Sequence, residues 1–119
     1  MKTHSLQQAK EGLEELDLDK IVGAYGDPFV FEDVPGGERI TNRSALRVYF
    51  ENLFGLPDVA FSEIRIYEAD TFACIEWTWS GTKRSSGEPY RIRGCSAVEL
   101  REGKIARESI YFDPREALG

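Results

Sequence analysis

The sequence predicts an α+β domain: N-terminal helices packed on a strongly curved, antiparallel or mixed β-sheet, giving a cone-shaped fold that encloses a cavity. Three observations carry this. The first half of the chain places apolar residues at helical spacing, the second half alternates them over long segments joined by polar turns, and one short strand interrupts the helical half. With 119 residues, 41% hydrophobic and 12% aromatic, residues 1–119 read as a single domain with enough apolar mass for a core.

Ser5-x-x-Gln8 has the form of a capping box, and Leu6, Ala9, Leu13 and Leu16 follow at helical spacing, so residues 4–16 read as an amphipathic helix. Asp17 is placed to cap a second short helix whose inward stripe is Leu18, Ile21, Val22 and Tyr25, with Gly26-Asp27-Pro28 stopping it. Next comes Phe29-Val30-Phe31-Glu32-Asp33-Val34, a strand in which Phe29, Phe31 and Asp33 share one face. Arg39-Ile40-Thr41 forms a brief extended piece. Asn42 then caps a helix over 43–54, with Leu46, Tyr49, Phe50, Leu53 and Phe54 on one side and Gly55 and Pro57 at its end.

In the second half, 59–68 reads as a bulged strand with Ile64 and Ile66 on one face. Residues 71–80 alternate cleanly, Ala73, Ile75, Trp77 and Trp79 against Phe72, Cys74, Glu76 and Thr78. After the polar loop 81–89, Tyr90, Ile92, Gly94, Ser96, Val98 and Leu100 share the inner face of the next strand, and a turn at 101–104 leads to a last strand over 105–112. A bent sheet covered by helices on its concave side tends to retain an apolar cavity.

Fifteen Lys and Arg against twenty-one Asp and Glu give a net charge of −6, which repels a nucleic-acid backbone or an anionic membrane surface. No stretch has the length and apolar character of a membrane span or a secretion signal, so the cytoplasm is the expected location. Cys74 and Cys95 form no C-x-x-C pair, and with one histidine, His4, expected to be solvated, no metal site is implied. Neither is an organic cofactor.

The candidate chemistry starts at Asp33. A carboxylate set among phenyl rings is disfavoured as a charge and can take and return a proton near neutrality, while the plainer reading has it bond the backbone of the Pro35-Gly36-Gly37 turn. Trp77 and Trp79 serve as core or as ligand platform, and Tyr25, Tyr49 and Tyr67 are candidate phenol donors. Arg91 and Arg93, with Lys83 and Arg84, form a basic cluster read as a solvated outer face paired with Glu76 and Glu99.

The order of elements resembles a known family. Leu16-Asp17-Leu18-Asp19-Lys20-Ile21-Val22, Phe31-Glu32-Asp33 before Gly36-Gly37, Asn42-Arg43-Ser44-Ala45-Leu46, Glu102-Gly103-Lys104-Ile105 and Tyr111-Phe112-Asp113-Pro114 look like the nuclear transport factor 2-like superfamily. The nearest branch is the SnoaL-like one, which includes bacterial ketosteroid isomerases, polyketide cyclases and limonene epoxide hydrolases. The resemblance covers nearly the whole chain and implies the cone fold rather than one chemistry.

Carried over by residue, Asp33 falls on the general base of the ketosteroid isomerases. Their helix-one tyrosine falls on Ala9 and their protonated aspartic acid near Ser96. The epoxide hydrolase Asp-Arg-Asp set falls on Trp77, Trp79 and Ile110, and its tyrosine and asparagine on Phe31 and Asp33, which excludes that activity. The cyclases' acid also falls on Ile110. The resemblance turns Glu108 toward the cavity, where it pairs with Asp33 as acid to base; otherwise it meets Arg91, Arg93 or Arg107 in an ion pair.

The expected protein is therefore an isomerase or lyase acting next to a carbonyl, with Asp33 and Glu108 as catalytic residues and Phe31, Trp77, Trp79, Ser96 and Ile110 around a small hydrophobic molecule. Its rival is a non-catalytic binding or assembly module with a vestigial pocket. A homodimer through the outer sheet face is expected from the same resemblance, where Phe72, Cys74, Cys95 and Ala97 would favour an interface.

Overall fold

The computed structural model describes residues 4–115, with the side chain of His4, and hence its expected solvation, outside the described set. Among the described residues, three helices, α1 (His4–Glu15), α2 (Leu18–Gly23) and α3 (Arg43–Phe54), accompany six strands: β1 (Tyr25–Asp33), β2 (Glu38–Ile40), β3 (Ala60–Glu68), β4 (Phe72–Thr82), β5 (Pro89–Arg101) and β6 (Lys104–Phe112). The strands make one open sheet in the order β2-β1-β6-β5-β4-β3, in which every neighbouring pair is antiparallel except β1 with β6. The sheet is mixed, and the helices lie over one face, as expected of the cone. No helix among the described residues is long and apolar enough to cross a membrane.

Local chemistry accounts for most boundaries. Asp17 accepts the Lys20 backbone N–H at 3.1 Å and starts α2; Asn42 accepts that of Ala45 at 2.9 Å and starts α3. Leu46, 0% exposed, and Phe50, 4% exposed, anchor α3 to the sheet, and burial of each contributes about 1.5–3 kcal/mol. The Phe50 ring packs 5.7 Å from Phe31, and Phe54 lies 6.2 Å from Phe61 on β3.

Four expectations are corrected. Ser5 lies inside α1, buried, and so does not cap it. Tyr25 is not the last turn of α2 but the first residue of β1, and Gly26-Asp27-Pro28 runs within that strand rather than stopping a helix. Ala24 is the α2 C-cap, and Arg43 of α3 donates to the carbonyls of Val22 at 3.0 Å and Tyr25 at 2.7 Å, fixing the turn between helix and strand. Arg91 does not reach Glu76 or Glu99; it ion-pairs with Glu63, to which Arg93 adds its charge. The bulge between Ser62 and Arg65, with Glu63 at φ 53°, turns that carboxylate toward Arg91 and Thr78. Finally, Tyr67 is exposed and donates to Glu76 at 3.2 Å, away from the cavity.

Candidate functional site

Between the helices and the inner face of the sheet lies a cavity of about 670 Å³, within the range of small-molecule sites. Every element contributes to its wall, from Ala9 on α1 and Ile21 on α2 to Tyr49 on α3 and Phe61 on β3. Phe31, Asp33, Trp77, Trp79, Ser96, Glu108 and Ile110 all line it, so the residues singled out from sequence converge on one space.

Asp33 is 8% exposed at the end of β1. Oδ1 accepts the Gly36 backbone N–H of the turn at 2.9 Å, as the plainer reading has it, and Oδ2 accepts the Tyr49 hydroxyl at 2.8 Å. No Lys or Arg forms an ion pair with it among the described residues. Burial, and then the Asp33 charge, push the Tyr49 phenol far above its ordinary range, so Tyr49 acts as a donor and not as a base.

Glu108 sits on β6 opposite Phe31, one strand over and two residues short of Asp33 in the parallel register. It does not meet an arginine. Its Oε1 accepts a hydrogen bond from Tyr25, a phenol 1% exposed behind the cavity wall. Burial raises the Glu108 carboxyl above its usual range, and the Tyr25 and Ser96 hydroxyls pull it partly back. Burial and the Glu108 charge in turn hold Tyr25 as a phenol.

The two tryptophans differ. The Trp77 Nε1–H donates to Ser96 Oγ at 3.0 Å, a partner the alternation pattern did not reveal. Trp79, half-buried against Tyr90 with ring centres 5.6 Å apart, has no acceptor at hydrogen-bond geometry, though its N–H is felt by the Tyr90 phenol, where it opposes the upward push of burial. Sequence reasoning also passed over Gly94, the register partner of Trp77, whose missing side chain leaves room for the indole. A glycine among alternating inner-face residues was the available signal.

A family model described as the SnoaL-like domain matches residues 6–108. The chain belongs to the SnoaL-like domain family. Several solved structures share the fold. A protein of ketosteroid isomerase-like fold from Catenulispora acidiphila DSM 44928, in complex with trimethylamine, is 13% identical over 99% of this chain and 92% of its own, with a TM-score of 0.85. A candidate polyketide cyclase from Pseudomonas putida KT2440 is 16% identical, covering 96% and 92%, with a TM-score of 0.80. An LEH-like epoxide hydrolase from M. tuberculosis is 23% identical, covering 98% and 85%, with a TM-score of 0.72. At these identities the likeness establishes the SnoaL-like fold and no activity. No curated protein matches the sequence.

Proposed function

We propose that this SnoaL-like protein binds a small, largely apolar carbonyl compound in its cavity and moves a proton at the carbon next to the carbonyl, as an isomerase of ketosteroid isomerase-like type. The observation that supports this most is Asp33: a carboxylate without an ion-pair partner among the described residues, held by Tyr49 and Gly36 and lining the cavity beside Phe31. In the proposed step the C–H bond breaks to Asp33, its electron pair enters the enolate, and Asp33 returns the proton to the conjugated carbon. Phe31, Trp77 and Trp79 hold the ligand, with Ser96 and Ile110 completing the wall. Glu108 or a tyrosine assists at the oxygen.

The outer face, where Phe72 is 52% and Tyr111 48% exposed, is the surface through which we propose that two copies pair. The free thiols Cys74 and Cys95 suit the reducing cytoplasm, where we place the protein.

The test is deuterium exchange from solvent into cyclohex-2-enone, followed by NMR. We expect the wild type to accelerate exchange and Asp33→Asn to lose roughly 10²-fold or more of that acceleration. Equal rates would remove Asp33 from the chemistry and favour a binding module without turnover.

A further inference from the structure

Asp33 ends β1, and the turn after it, Val34-Pro35-Gly36-Gly37, is closed by the Gly37 N–H donating to the Val34 carbonyl at 3.3 Å. Its two glycines meet different demands. Gly37 has φ 70°, in the left-handed region where a side chain is strained, and a Cβ built on it meets nothing within 4 Å. Gly36 lies outside that region, so its φ does not call for glycine. Space is the constraint there. A Cβ built on Gly36 stands 3.0 Å from each of Cγ, Oδ1 and Oδ2 of Asp33. A methyl group that close to all three carboxyl atoms and the carboxylate could share the turn only after one of them had moved.

The fastenings of Asp33 decide what such a movement costs. Its Oδ1 takes the Gly36 N–H and its Oδ2 the Tyr49 hydroxyl, so the plane of the carboxylate is held from a turn on one side and from α3 on the other. Each oxygen has one donor and keeps lone-pair capacity for a further hydrogen. Gly36 itself is exposed and is not among the residues of the cavity wall, so it acts on a ligand only through Asp33.

We propose that Gly36 is a positioning residue: its missing side chain lets the Asp33 carboxylate lie back on the turn, and so sets the place in the cavity at which that carboxylate meets the ligand. The inference rests on the reading of Asp33 as the base for its effect on rate, while the placement of the carboxylate stands without it. Misplacing a reacting group by about 1 Å can cost roughly 10²-fold in rate. Relieving the contact at Gly36 needs a smaller shift, so a loss of about tenfold is expected. The rings that hold the ligand, Phe31, Trp77 and Trp79, make no contact with the Gly36 position closer than the Asp33 carboxyl does, and binding should be spared.

The test compares Gly36→Ala with Gly37→Ala in the full chain, by deuterium exchange into cyclohex-2-enone and by the ¹³Cγ resonance of Asp33, assigned with Asp33→Asn. We expect Gly36→Ala to lose about tenfold in kcat with KM unchanged and to displace the Asp33 resonance. Gly37→Ala should instead lower the urea midpoint, because alanine is strained at φ 70°, and leave kcat and the resonance where they were. The resonance needs no turnover. If the wild type exchanges nothing and Gly36→Ala still displaces the resonance, the base falls and the positioning stands. A resonance identical in Gly36→Ala and wild type would overturn the proposal. So would an equal displacement in Gly37→Ala, since any change in the turn would then act alike, and so would an active wild type whose kcat is untouched by Gly36→Ala.

Discussion

The Trp77 indole fills the space in which Gly94 would otherwise carry a side chain: a Cβ built on Gly94 falls 2.4 Å from Trp77 Cη2. The two are register partners on β4 and β5. Because Gly94 yields, the ring lies against the sheet, its N–H reaches Ser96, and the cavity stays open in front of it. Gly94→Ala should force the ring into the cavity, destabilise the fold by about 1–3 kcal/mol and reduce ligand capacity. Urea unfolding read by tryptophan fluorescence, with cyclohexenone titration alongside, checks both effects.

Tyr49 and Asp33 are coupled across α3 and β1 by one hydrogen bond of 2.8 Å. A double-mutant cycle of Tyr49→Phe and Asp33→Asn should give an interaction of about 0.5–3 kcal/mol in unfolding free energy, the range for contacting polar pairs. Additive single mutants would place the two groups out of contact in solution.

Glu108 makes stability depend on pH with a definite sign. Its carboxyl is raised in the fold above the ordinary value of 4.5, chiefly by burial, so the folded chain holds that proton more tightly than the unfolded chain does. The contribution is complete below about 4.5, and it is lost as pH rises through the folded value. Glu108→Gln, which cannot ionise, should flatten this part of the profile. Denaturation midpoints measured from pH 4 upward in both proteins should converge at the acid end and diverge as pH rises.

Arg43 joins three pieces of the fold: the α2 end through Val22, the β1 start through Tyr25, and Asp27 through an ion pair at 3.1 Å. Its guanidinium also sits 5.8 Å from the centre of the Phe29 ring. Lysine presents a single ammonium and cannot address two carbonyls in the same fork, so Arg43→Lys should cost about 1–3 kcal/mol in thermal or urea unfolding. A greater mobility of the Tyr25 amide in hydrogen exchange would accompany it.

The legible parts of the sequence were those whose signal is local. The inner face of β5 follows alternation, and so does that of β4 as far as Trp77, before buried Thr78 breaks the pattern; α3 carries both its cap, Asn42, and its apolar stripe in adjacent residues. The failures came where a distant group decides. Tyr25 continues the helical spacing of Leu18, Ile21 and Val22, yet it starts a strand because its carbonyl is taken by Arg43 from a later helix. The bulge in β3 was legible, but not that it turns Glu63 toward Arg91, which is why Arg91 finds an acid on β3 instead of the expected ones. Within the site, Asp33 and Glu108 were readable as candidates. The hydrogen bonds from Tyr49 and Tyr25 were not, since three phenols were available and spacing could not choose among them.

The parallel joint between β1 and β6 has a kinetic corollary. It brings the early part of the chain against the last strand in sequence, so Asp33 and Glu108 share a wall only when residues far apart in the chain have met. Partly folded forms can possess every hairpin of the later half and still own no cavity, because loop closure over such a separation comes late and at an entropic cost. Ligand capacity should therefore return during refolding only with the slowest recovery of native signal, never ahead of it.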